Sequence, residues 1–192
     1  MHRRLAELIE YADRQRVELL AAVDAIPESG RDVKVDASAW SVAEILEHLY
    51  RVETGIVRLL KRGVERARTG GAPLEQEDGS LLSSLDAFRL TDRSYTVGAP
   101  EPVLPRGEFT TAAGLAALAE SRRALRDAAS AASGLALGAI SYPHPMMGAL
   151  TLYQWILFVG QHELRHAKQI HSIAANLAAQ NEPREMNEHG VS

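Results

Sequence analysis

Apolar side chains recur every three or four positions over four long stretches of the chain, the signature of amphipathic helices. The first runs from about Arg3 to Ile26, with Leu5, Leu8, Ile9, Ala12, Leu19, Leu20 and Val23 on one stripe, and Pro27, Ser29 and Gly30 end it. A second continues from Val42 to about Ala67, burying Val42, Ile45, Leu46, Leu49, Val52, Ile56, Leu59 and Leu60, and stops at Gly70 and Gly71. Its start is marked by Ser41 as N-cap and Glu44 three residues on, a capping box. A third stretch follows a cap at Thr110 or Thr111 and reaches about Ala132, its alanines permitting close helix contact and Gly134 and Gly138 closing it. The last extends from about Thr151 to Ala179.

Between the second and third helices the pattern lapses. Residues 70–108 carry Gly98, Pro100, Pro102, Pro105 and Gly107 in their second half and read as an elaborate loop, with room for a short helix over Leu81 to Asp92. A connection of that length is expected to have a role, such as covering a pocket or forming an oligomer interface. Ser141 to Gly148, with Pro143, His144 and Pro145, reads as a turn-rich connection. No strand pattern emerges. The expected fold is all-α, an antiparallel or cross-connected four-helix bundle with a long connecting segment, built as a single domain over residues 1–192.

Composition narrows what such a bundle does. With 46% apolar and 24% charged residues the chain can bury a full core. The balance of 21 basic against 25 acidic side chains, net charge −4, offers no basic run to follow a phosphate backbone, so nucleic acid is not an expected partner. The densest basic group, Arg58, Lys61, Arg62, Arg66 and Arg68, falls at a helix end where cations meet the negative end of the dipole. There is no cysteine, which removes disulfides, thiolate ligands and a protein-borne thiol nucleophile together. Met1 to Arg16 carries charges throughout, and no stretch reaches the roughly 18 apolar residues of a membrane span, so a cytoplasmic location and no membrane partner are expected.

The candidate chemistry lies in the histidines. In the last helix Leu152, Trp155, Ile156, Val159, His162, His166, Ile170, Ile173 and Leu177 advance by threes and fours, so two histidines occupy core positions. Four residues apart, their rings lie one above the other and can address one ion. In the second helix His48 follows Ile45 by three and precedes Val52 by four, which turns it inward as well. Three neutral imidazoles with a fourth position free make the ligand set of a catalytic zinc-type site. Hydrogen-bonded core histidines, or a polar network inside a metal-free helical dimer, fit the same spacing. His2 and His189 sit near the chain ends and His171 points about 140° away from His166, so these are poor ligands. His144, between two prolines, either binds substrate or occupies a turn.

Two segments carry a resemblance: Trp40-Ser41-Val42-Ala43-Glu44-Ile45-Leu46-Glu47-His48-Leu49, and His162-Glu163-Leu164-Arg165-His166-Ala167-Lys168-Gln169-Ile170. Together they resemble the DinB/YfiT-like superfamily of metal-binding four-helix proteins, and the turn His144-Pro145-Met146-Met147-Gly148 is similar to one found there. The resemblance implies a metal site on His48, His162 and His166; imidazole ligands suit zinc, nickel, iron and copper alike, and one divalent ion, zinc or nickel, is expected there. It also implies a small-molecule substrate and either hydrolysis or transfer from a low-molecular-weight thiol such as mycothiol or bacillithiol. The alternative is a non-enzymatic metal-binding module or a dimeric structural protein, with the third helix and the long loop as homodimer surfaces. Around the ligands, Glu44 is one turn from His48 but also serves the capping box, and Gln169, one turn beyond His166, either orients a water or a substrate oxygen or is a buried glutamine bonded to backbone. Glu163 is either a general base facing the pocket or, beside the stripe, an exposed partner of Lys168 or Arg165.

Overall fold

The computed structural model describes residues 1–94 and 98–181, without the side chains of 180 and 181. Its helices are α1 (Arg3–Asp24), the single-turn α2 (Glu28–Arg31), α3 (Val42–Thr69), α4 (Thr111–Ala131) and α5 (Leu152–Asn181). The capping box at Ser41 is formed, with Glu44 N–H donating to Ser41 Oγ at 3.2 Å and Ser41 N–H to Glu44 Oε2 at 2.9 Å. Thr110 caps α4 through Ala113 N–H at 3.2 Å. His189 lies outside the described residues.

α1 lies along α5, α3 lies along α4, and α3 also packs on α5. Two apolar clusters give the directions. One gathers Leu5 and Leu8 of α1 with the late residues Leu60 and Val64 of α3, Leu125 of α4 and the early residues Tyr153 and Ile156 of α5. The other gathers Leu19 and Val23 with Ile45 and Leu46, Leu118, and Ile170 and Ile173. α1 and α5 therefore run one way, α3 and α4 the other, and the bundle is cross-connected. Parallel neighbours cannot be joined by a short turn, which is why the chain between α3 and α4 must climb the length of a 28-residue helix, roughly 40 Å at 1.5 Å per residue.

That climbing segment has an ordered path. Leu74 pairs antiparallel with Leu135, the Glu75 carboxylate takes the Tyr153 hydroxyl at 2.7 Å and Arg4 at 3.3 Å, and Leu85 is fully buried in the first apolar cluster. It then follows α5 upward, with Gln154 donating to the carbonyl of Ser84, Arg165 to those of Leu90 and Asp92, and Lys168 to that of Thr91. The short helix expected over Leu81 to Asp92 is reduced to one 3₁₀ turn, Asp86–Phe88. A segment that short is marginal as a helix by itself, and seating Leu85 in the core takes precedence, with Arg89 then turning the chain at φ 47°.

Where no strands were expected, Ser141–His144 (β1) and Gly148–Thr151 (β2) pair antiparallel, Ser141 opposite Thr151 and His144 opposite Gly148. Four residues are too few for a legible alternation, and Pro143 argues against a strand except at an edge, where this one lies. Leu20, expected on the buried stripe of α1, is 39% exposed, and the inward place four residues after Ala12 belongs to Arg16.

Arg16 belongs to a charged layer between the two apolar clusters, to which every long helix contributes. Its guanidinium donates to Glu53 of α3 at 2.9 Å, to Glu163 of α5 at 2.9 Å and to the carbonyl of Leu118 at 2.8 Å. Arg122 of α4 donates to Glu53 at 2.7 Å, to Glu163 at 2.9 Å and to Asp13 at 3.1 Å. Ser121 donates to Glu53 as well. Glu163, 1% exposed, is thus neither a base facing the histidines nor an exposed partner of Lys168 or Arg165, because both arginines hold it inside the bundle. Desolvation raises its pKa against the pull of Arg122 and Arg16; for Arg122 desolvation is outweighed by the two glutamates, which hold the guanidinium above its ordinary range.

Candidate metal centre

Helical spacing delivers His162 and His166 on successive turns of α5, and the packing of α3 on α5 brings His48 to them. His162 Nε2 lies 3.1 Å from His166 Nε2 and 3.3 Å from His48 Nε2, and one nitrogen of each ring falls within 4.8 Å of the others. Among the described residues the group contains no carboxylate. Two donors about 2.0–2.1 Å from a tetrahedral ion sit roughly 3.3–3.4 Å apart, so both measured separations have the scale of ligands sharing one cation. The three imidazoles could hold a metal ion.

Hydrogen bonding at the far side of two rings sharpens this. His48 Nδ1 is 2.7 Å from the carbonyl of Val103, which can only accept, so His48 carries its proton on Nδ1. His166 Nδ1 is 2.9 Å from Gln169 Oε1 and donates there. Both rings therefore aim an unprotonated Nε2 at His162 Nε2, which has at most one proton to offer two lone pairs. A cation between them relieves that opposition.

The surroundings keep the imidazoles neutral. His166 is pushed down to about 3, by desolvation first and then by His48; His162 falls well below the ordinary value through desolvation, His166 and His48; and desolvation lowers His48 against the opposing bond to Val103. Trp40 lies 4.9 Å from His48 and stacks on His166 at 6.3 Å between ring centroids, while Phe158 stacks on His162 at 5.0 Å. These depressed values carry a stability consequence. The unfolded chain binds protons on these rings below about 6.5, whereas the folded chain resists them. Stability present above pH 6.5 is therefore lost as pH falls toward the folded values. In chelator-treated protein the urea midpoint should drop between pH 7 and 5 more steeply than in a His166→Phe variant, and equal slopes would refute it.

Gln169, expected to meet a water, a substrate oxygen or backbone, instead accepts from the His166 ring itself. Glu44 is held by Ser41 N–H and by Lys34 at 2.9 Å, and the nitrogen of His48 it was offered belongs to Val103. His144 closes the hairpin; its Nδ1 accepts Met146 N–H at 3.2 Å, and its ring meets Phe158 at 5.1 Å and Trp155 at 5.2 Å, two ring contacts from His162. Sequence reasoning passed over Trp40 and Phe158 as walls, although Trp40 stands in the quoted motif and Phe158 one turn before His162 marks it. Val103 acts through its backbone, which no side-chain pattern reveals.

Residues 11–170 match the sequence pattern of the family described as the DinB superfamily. A protein of Bacillus subtilis (strain 168) described as uncharacterized protein YuaE is 27% identical over 158 residues, covering 82% of this chain and 91% of its own. No solved structure matches significantly. No helix of the described residues is long and apolar enough to cross a membrane.

Proposed function

We propose that this chain, which belongs to the DinB superfamily, is a metal-dependent enzyme that holds one divalent ion, zinc or nickel, on His48, His162 and His166, and turns water or a low-molecular-weight thiol into a nucleophile beside it. The observation that carries the reading is the opposition of unprotonated Nε2 atoms, with Nδ1 of His48 and of His166 already committed outward. An ion bound there would lower the pKa of a water or thiol in its remaining position toward neutrality.

The protein's own groups serve that end in identifiable ways. Three neutral ligands and no carboxylate leave the ion's charge uncompensated, which favours an anion beside it, thiolate or hydroxide. Val103 and Gln169 fix two ring orientations, the support that ligating histidines need. Trp40 and Phe158 cover the imidazoles with apolar faces and exclude water from those sides. The chain has no cysteine, so a thiol-transfer reaction would take its sulfur from solution.

Cobalt substitution followed by azide titration tests the reading. Uptake of one equivalent of cobalt and a visible spectrum that shifts with azide are expected. A spectrum indifferent to azide indicates a closed, structural ion and removes the enzymatic proposal, leaving a metal-binding module; no uptake of cobalt, zinc or nickel removes both.

A further inference from the structure

The segment climbing from α3 to α4 meets the imidazole cluster at Val103, and its attachment there is made by the residue preceding His48. Glu47 is fully buried. Its carboxylate accepts three successive backbone N–H groups, from Arg106 at 3.0 Å, Gly107 at 3.0 Å and Glu108 at 3.1 Å. Arg51, one turn along α3, closes the other side at 2.6 and 3.0 Å and also reaches Glu108 at 3.0 Å. Gly107 has φ 72°, and this left-handed residue lets consecutive N–H groups converge on one anion. Three residues before this cradle stands the Val103 carbonyl that receives His48 Nδ1–H.

The two outward bonds of the cluster differ in origin. Gln169 reaches His166 from the same helix, whereas His48 is oriented by a backbone atom from a segment 55 residues away in sequence. That carbonyl stays in place only while the segment is docked. Replacing the carboxylate at 47 by an apolar group would strand three N–H donors, each costly to leave unmade.

We propose that Glu47 is a positioning residue for the metal centre: by clamping residues 106–108 it holds the Val103 carbonyl against His48 and keeps that imidazole's Nε2 lone pair directed at the other two. This rests on the three-histidine reading above. Loss of such outer support typically weakens metal binding roughly 10–100-fold.

The test has two arms. Zinc affinity, measured by competition with a chromophoric chelator, should fall roughly 10–100-fold in Glu47→Gln, whose amide keeps one acceptor oxygen but sets its NH₂ against the donors. Glu47→Asp should recover part of the loss. In the second arm, nitrogen-15 NMR of the histidine side chains in metal-free protein should show a single Nδ1–H form for His48 in the wild type and a mixture in Glu47→Gln. A helical circular dichroism spectrum certifies the fold. Should Glu47→Gln not fold, Gly107→Ala strains the same cradle and should move both readouts in the same direction. Unchanged affinity and an unchanged His48 pattern in the folded variants would overturn the proposal. If the wild type itself binds no zinc, the metal reading fails, while the NMR arm still decides the clamp.

Discussion

Replacing His162 with alanine is expected to reduce metal binding by roughly 10²–10³-fold. Four-ligand imidazole and thiolate sites bind zinc with about 10–16 kcal/mol, or about 2.5–4 kcal/mol for each ligand, and 1.4 kcal/mol is a factor of ten. His162 is the member to remove because both close approaches, at 3.1 and 3.3 Å, involve its Nε2. Gln169→Ala, which takes away only the support of His166, should cost less, roughly 10–100-fold. Metal content after dialysis and a competition assay give this ordering directly. If His162→Ala and Gln169→Ala lose equal affinity, His162 is not a ligand.

Arg122→Met should be the most damaging change to stability, by about 3–5 kcal/mol, the usual cost of removing one partner from a buried ion pair. Its guanidinium satisfies Glu53, Glu163 and Asp13 together, and no other group in the layer can replace it, because Arg16 is already engaged with both glutamates and the Leu118 carbonyl. At this chain length the loss corresponds to roughly 6–20 °C in Tm. With Arg122 gone, desolvation raises the Glu163 carboxyl with less opposition. A folded pKa raised above the unfolded value of about 4.3 makes the deficit complete at neutral pH and smaller as pH falls toward that value. Urea unfolding of wild type and variant at pH 7.5 and 5 measures both effects, and a deficit that grows in acid would contradict this account.

The layer also marks what the sequence made legible. Periodicity placed the four long helices, and Ser41 and Thr110 the starts of two of them, because each helix is long, amphipathic and punctuated by Gly, Pro, Ser or Thr. It turned His48, His162 and His166 inward for the same reason. Arg16, Glu53, Arg122 and Glu163 occupy the same kind of position, charged residues on apolar stripes, and three-residue and four-residue steps could have found them; treating charge as a sign of exposure hid them. The hairpin and the route of residues 70–108 were less accessible. Most of their hydrogen bonds engage backbone groups, paired with one another or with side chains far away in sequence such as Glu47, Gln154, Arg165 and Lys168, and Glu47 looks in sequence like any helix-surface glutamate.

The direction of the helices has a consequence for the order of assembly. His48 and His162 are 114 positions apart, and at a synthesis rate of roughly 5–20 residues per second the earlier ring waits many seconds for the later ones. The three imidazoles meet only when α5 is packed against α3, since two of them lie on α5 and the third on α3. An ion that needs all three imidazoles can therefore be bound only by a chain whose α5 is already in place. A nascent chain halted before Leu152 should accordingly show no affinity above that of a lone histidine.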